Sequence, residues 1–451
     1  MKCYARAAGL LLLILAGCKQ ENKEDPATVL DHATLIDGTG APAQNDMTLI
    51  IQADTIYAIF PHGSMELLEN SEVTDLEGKT IMPSMVNTHG HVGLLKGNKV
   101  AKENYTRENI LRQLEQYEQY GVGAVLSLGS DREIMFALAD SSQHGQLSGA
   151  MVFTAGYGIG VPKGAPPQNA GFDKVIRPMS AKEATEEMQQ LVKSKPAFVK
   201  IWVDDFGGTV PKMEPEVYEA VIGEAHQHGL RVAAHVFYLE DAKKLVAAGV
   251  DILAHSIRDQ EVDAELLQEM KAKNVVYIPT LSLDEYNFIY LRQPDWVDSK
   301  FFSSSLEPGV LDSLKSEDYL NRLKNDPNLQ QKIDHFNIAL NNLKKMYEAG
   351  IKVTMGTDSG AQPIRAQGFS EHLELQLMTE AGLTPLQAIT IVTRNGAELL
   401  KIDDEYGTLQ IGKKANFVVL GGNPVEDIKN TRNIVAVWAD GEKVSGAPGD
   451  Q

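Results

Sequence analysis

Cysteine is almost absent from this 451-residue chain: it has two, Cys3 and Cys18, both near its start. Beyond residue 18 there is no thiol for a disulfide, a cysteine metal site or a cysteine nucleophile. Positive charge is also scarce. Lys and Arg number 42 against 61 Asp and Glu, a formal net charge of −19, and the cations do not gather into a basic stripe. Nucleic acid is therefore excluded as a partner, because phosphate binding needs concentrated positive charge. The apolar run near the start, Leu11-Leu12-Leu13-Ile14-Leu15, falls short of the ~20 residues that cross a bilayer. What remains is an ordinary globular composition, 43% hydrophobic and 23% charged. The length suffices for one large domain and a smaller one.

The first residues read as an export signal: Lys2 and Arg6, the apolar run, then small Ala16 and Gly17 before Cys18. Leu15-Ala16-Gly17-Cys18 resembles the bacterial lipobox, which implies lipidation at Cys18 after removal of residues 1–17. A plain secretory signal is the alternative. Residues 18–26 are polar and read as a tether. The expected location is the cell envelope, by export and lipid anchoring, at the outer membrane or periplasm. The membrane is then met only through that anchor.

From residue 27 to 82, and again from 402 to 451, short apolar runs are broken by turn residues, as in Thr48-Leu49-Ile50-Ile51 and Asn416-Phe417-Val418-Val419. Two strand-rich ends predict one composite β domain, resembling a small β-sandwich. Residues 83–401 alternate instead. Strand-like runs at 85–91, 122–128, 152–154, 198–203, 232–235, 251–255, 275–279 and 351–355 are mostly separated by helical patterns. Alternation implies a parallel sheet, and eight units imply an α/β fold of the (β/α)₈ TIM-like barrel type. The interval 281–350 reads as a helical insertion before the eighth strand.

His89 and His91 end the first run, two residues apart, so both imidazoles can face one ion. His235, His255 and Asp358 end three later runs. Barrel enzymes keep their sites at those strand ends, and four histidines with an aspartate form a metal-ligand set. Lys200 lies inside the apolar run Phe198-Val199-Lys200-Ile201-Trp202, where an unpaired ammonium is costly. A salt-bridged lysine, a neutral lysine and a lysine carbamylated by CO₂ all fit there.

His-Gly-His after strand one, Lys200 after strand four, His235 and His255 after strands five and six, and Asp358 after strand eight resemble the amidohydrolase superfamily. The chain looks most like its imidazolonepropionase-related and prolidase-like hydrolases. Gly382-Leu383-Thr384-Pro385 and Gly407-Thr408-Leu409-Gln410-Ile411-Gly412 are further matches. The resemblance implies two Zn²⁺ per chain: His89, His91 and Asp358 on one, His235 and His255 on the other, and a Lys200 carbamate bridging them. It implies that a hydroxide shared by the ions attacks a carbonyl and that catalytic Asp358 passes the proton to the leaving nitrogen.

The chain departs from the family at Asn87, where an Asp is usual, and after strand three, where many relatives place a His. Tyr157 or Lys163 could substitute there, and Tyr238 could reach a substrate carboxylate. His372 is a candidate for lining the pocket, and Asp204 and Asp205 for orienting Lys200 or the ligands; a surface-loop role fits both aspartates equally. His32, His62, His144, His226, His228 and His335 read as lying away from the chemistry. The expected function is hydrolysis of amide C–N bonds in small molecules such as dipeptides, N-acyl amino acids or cyclic amides. A mononuclear deaminase or ring-opening hydrolase with unmodified Lys200 is the alternative, and a non-catalytic tethered binding protein is a third reading. A homo-oligomer is compatible with this composition.

Overall fold

The computed structural model describes residues 27–67, 70–168, 171–446 and 448. The signal, the tether and Cys18 lie outside the described residues.

The two chain ends share one sheet of eight strands. Its seam is Thr80–Pro83, which pairs parallel with Thr28–Leu35 and antiparallel with Phe417–Leu420. One core gathers side chains from both ends, among them Leu35, Leu49, Ile81, Phe417 and Val419. Thr80–Pro83 runs almost directly into Met85–Gly90, so this sheet anchors the first strand of the barrel.

The barrel strands are Met85–Gly90, Val122–Ser127, Met151–Thr154, Val199–Trp202, Val232–His235, Ile252–Ala254 and Val276–Ile278. They run in two parallel sets, 3-stranded and 4-stranded. A parallel bridge from Ile159 to Ile201 spans the first gap. The eighth segment, expected as a strand at 351–355, is a run of bridges instead. Val353 pairs with Tyr277 and Ser359 with Gly90, which closes the ring. Two-residue periodicity decides which side chains face inward. Val199 and Ile201 join the core shared with the helices, whereas Phe198 joins the barrel interior with Ala233, Ile252 and Val276. Lys200 and Trp202 share the side of Phe198.

Helices fill the connections where caps allow them. Pro215 opens Pro215–Gln227 at a position where its missing N–H costs nothing, and Val217, Val221, Ile222 and Ala225 are its buried face. Thr384 and Gln387 form a capping box at the start of Pro385–Thr390. The interval between the seventh and eighth barrel segments holds Lys300–Ser303, Val310–Lys315, Glu317–Lys324 and the long helix Leu329–Glu348.

Candidate metal centre

The barrel mouth opens into a cavity of about 560 Å³, lined by His89, His91, His235, His255 and Asp358 together. Ring centroids lie 4.5 Å apart for His89 and His255, and 4.3 Å for His235 and His255. Asp358 Oδ1 is 3.4 Å from His89 Nε2 and 2.8 Å from His91 Nε2. One ligand atom each from His89, His255 and Asp358 fall within 4.8 Å of one another.

Local backbone geometry aims these groups. Strand alternation alone would turn His255 outward, because Ala254 already faces the interior. His255 instead takes φ +74, and Asp358 (φ 55) and Thr280 (φ 50) are also left-handed. For side chains other than glycine, each such conformation costs of order 1–3 kcal/mol, and such strain clusters at functional sites. Gly129, with φ +91, leaves room for Lys200: a Cβ there would sit 2.6 Å from the lysine Cγ.

Hydrogen bonds fix how each ring is turned. His91 Nδ1 shares a 2.6 Å bond with Ser130 Oγ, and His255 Nδ1 a 2.9 Å bond with Thr280 Oγ1. Asp204 Oδ2 accepts from His235 Nε2 at 2.9 Å. Outer partners of this kind set the tautomer and aim of metal-binding imidazoles. Asn87 Oδ1 accepts from the His89 backbone N–H, and its Nδ2 donates to Thr357 and to buried Glu371. The unusual Asn87 thus ties the first strand to the eighth segment.

Burial sets the charge states. It holds the His89 and His255 rings well below their usual pKa, with added repulsion from Lys200 and His235 respectively. His235 is lowered by burial even though Asp204 opposes it. Burial also brings the Lys200 amine down to about 7. Burial pushes the Asp358 carboxyl up, but Arg365, then His91 and His89, outweigh it and keep it ionised. Lys200 Nζ and His89 Nδ1 are buried and find no hydrogen-bond partner among the described residues. Neutral imidazoles, an ionised carboxylate and an orphaned amine are a donor set that fits divalent metal ions.

Some expected residues lie elsewhere. Tyr157 does not line the cavity, and its ring packs on Phe136 at 5.6 Å. The Tyr238 hydroxyl donates to Asp205 at 2.8 Å, with Lys212 4.2 Å above the ring, so it too stays outside the lining. Lys163 is in an exposed turn. His372 is buried behind the site, bonded to the Tyr120 carbonyl, and burial lowers its pKa to about 3. Sequence reasoning missed Arg365, Arg258, Ser130 and Thr280, and the cavity wall of Phe172, Trp202, Phe206 and Phe237. Trp202, which ends a barrel strand, and Ser130 and Thr280, which lie within three residues past one, carried a signal.

The amidohydrolase family pattern matches residues 80–444. The chain is 21% identical to a 5-methylthioadenosine/S-adenosylhomocysteine deaminase of Shouchella clausii (strain KSM-K16) over 421 residues, 87% of this chain and 85% of the relative. A solved Xaa-Pro dipeptidase with methionine bound in its active site is similar at 25% identity and TM-score 0.73, covering 93% of this chain and 100% of the other. Molinate hydrolase shares the fold at 20% identity and TM-score 0.72, covering 94% and 95%.

Proposed function

The chain belongs to the amidohydrolase family and is a metal-dependent hydrolase of carbon–nitrogen bonds; on that premise we propose that it cleaves an amide bond in a small substrate with an apolar group, such as a dipeptide, an N-acyl amino acid or a cyclic amide. The observation that carries this reading is the meeting of four imidazoles and ionised Asp358 at one aromatic-walled cavity, with the unpaired Lys200 amine buried close enough to repel a proton on His89. The cations on its wall are already matched: Arg365 with Asp358, and Arg258 with Asp284 at 3.0 Å. Phe172, Trp202, Phe206 and Phe237 are left to select an apolar group.

In this reading His89, His91 and Asp358 would hold one zinc ion and His235 and His255 a second. Lys200 would join the ligand set as a carbamate. Its neutral amine adds CO₂ at Nζ and releases one proton, and an amine brought to about 7 is neutral often enough to react. Bound divalent ions supply Lewis-acid polarisation and acidify water. Asp358 accepts the water proton at its carboxylate and delivers it to the leaving nitrogen. Arg365 keeps that carboxylate ionised beforehand. Asp204 holds the His235 ring in register.

A second reading is a mononuclear deaminase or ring-opening hydrolase. It is favoured by the tight His89, His255 and Asp358 trio, which alone suits one ion, and by the deaminase names of the sequence relatives. Metal analysis beside a substrate screen separates the two. Two ions per chain with amino acid release from dipeptides or N-acyl amino acids supports the first reading. One ion per chain with ammonia release from 5-methylthioadenosine overturns it.

A further inference from the structure

A second gathering of metal-ligating side chains lies on the sheet made by the chain ends, far in character from the barrel mouth. It arises from a bulge. Along the pairing of Thr28–Leu35 with Gln44–Gln52, Leu30 faces Leu49 and Ala33 faces Met47. Two residues, Asp31 and His32, therefore oppose the single residue Thr48. Neighbours on a regular strand point to opposite faces. Here His32 takes φ +58 and Asp46, across the bulge, φ +54. The His32 ring and the Asp31 carboxylate then share one side, with His32 Nε2 3.9 Å from Asp31 Oδ2.

His62 completes the group. It follows Thr55–Pro61, and its backbone N–H donates to the Asp46 carbonyl at 2.8 Å. Its Nδ1 lies 2.9 and 3.0 Å from the two Asp31 oxygens. The His32 and His62 rings meet with centroids 3.8 Å apart. Asp46 Oδ1 is 2.8 Å from His32 Nδ1, and Asp75 is the parallel partner of Asp31 on the neighbouring strand. Three carboxylates thus crowd two facing imidazoles. Asp31 is buried and pinned by Thr48 Oγ1, which donates to it at 2.6 Å, whereas both imidazoles reach solvent.

We propose that Asp31, His32 and His62, with Asp46 as a further oxygen donor, form a surface site for a divalent transition metal of the zinc–copper class, separate from the barrel centre. Single ligand atoms from Asp31, His32 and His62 lie within 4.8 Å of one another, and small turns of the two exposed rings bring them to one ion. Two imidazole nitrogens with carboxylate oxygens suit zinc or copper, whereas calcium and magnesium take oxygen alone. Ordinary ion pairing would satisfy each imidazole with its own acid. It does not account for two tilted rings brought to 3.8 Å between centroids beside one fixed carboxylate. The ion would tie three strand segments together at the bulge and stabilise the sheet by mass action.

The test uses full-length protein whose barrel centre is already loaded with zinc. Additional zinc at micromolar free concentration is followed by diethylpyrocarbonate labelling, read peptide by peptide by mass spectrometry. Labelling of His32 and His62 should fall several-fold while that of His144, an exposed histidine on another surface, stays constant. A His32→Ala/His62→Ala variant should retain one ion fewer per chain than the parent. Labelling of His32 and His62 that ignores zinc overturns the proposal without need of the variant. So does an equal ion count in parent and folded variant.

Discussion

Among the described residues, histidines and aspartates gather into ligand-like groups at two places, and the two groups differ mainly in water. At the barrel mouth His89 is 1% and His255 2% exposed, and burial is the largest influence on both rings. On the sheet the His32 side chain is 37% exposed, and its hydrogen bond to Asp46 is the largest influence. Burial drives the barrel imidazoles to stay neutral, whereas the acids beside the wet one favour its proton. The same residue types thus become ready ligands in one place and a charge-paired cluster in the other. The dry group has apolar walls that can hold a substrate, and the wet group has none.

The sharpest way to break this contrast is Lys200→Ala. Turnover should fall by two or more orders of magnitude, and bound metal in the barrel should drop from two ions towards one. Lys200→Arg should be no better, since a guanidinium stays cationic. Short carboxylic acids should restore part of the rate by filling the vacated space. Near-normal turnover with two ions retained would show that no carbamate bridge operates.

A smaller effect concerns pH and metal-free protein. Lys200 has a folded-state pKa of about 7 against 10.5 in the unfolded chain. Between those values the unfolded state holds the extra proton, so stability rises with pH from about 7 to 10.5. The cost of the buried ammonium, a few kcal/mol, is fully present below about pH 7. Lys200→Met should raise the urea midpoint of chelated protein most at or below pH 7, with the gain fading towards pH 10.5. Parallel midpoints at every pH would contradict this.

The smallest effect has the opposite sign. His32 has its pKa raised above 6.5 by its hydrogen bond to Asp46, which outweighs desolvation, with the charges of Asp31, Asp46 and Asp75 adding to it. Its contribution is full below about pH 6.5 and is lost as pH rises through the raised value. His32→Asn, which tolerates φ +58, should slightly lower the melting temperature of chelated protein in acid and leave it unchanged in alkali. A deficit that grows with pH would refute the assignment.

Sequence legibility followed the same divide. The six barrel candidates could be singled out because each lies in or shortly after a strand-like run of the sequence, where two-residue periodicity and the strand-end rule act locally. Seven of the eight barrel strands were legible for the same reason. The eighth segment is built from isolated bridges, so its regularity was overestimated, although Asp358 does lie beside His89 and His91. Arg365, Arg258 and the aromatic wall come mostly from loops whose direction depends on distant packing. Tyr157 and Tyr238 lie outside the cavity lining because nearby partners, Phe136 and Asp205, claim them first. His32 and His62 looked inert because a bulge, which no local pattern announces, brings them together.

The closing bridges of the barrel carry a kinetic meaning. His91 and Asp358 touch across 267 residues of chain, and only the last segment supplies the aspartate. Contacts this distant in sequence carry a loop-closure cost that local contacts do not. A half-closed barrel would hold the histidines of its early strands but no Asp358 beside them. Full-strength metal capture in the barrel then becomes a clock for the final folding step: its rate, followed with a chromophoric competitor during refolding, reports when the ring has shut.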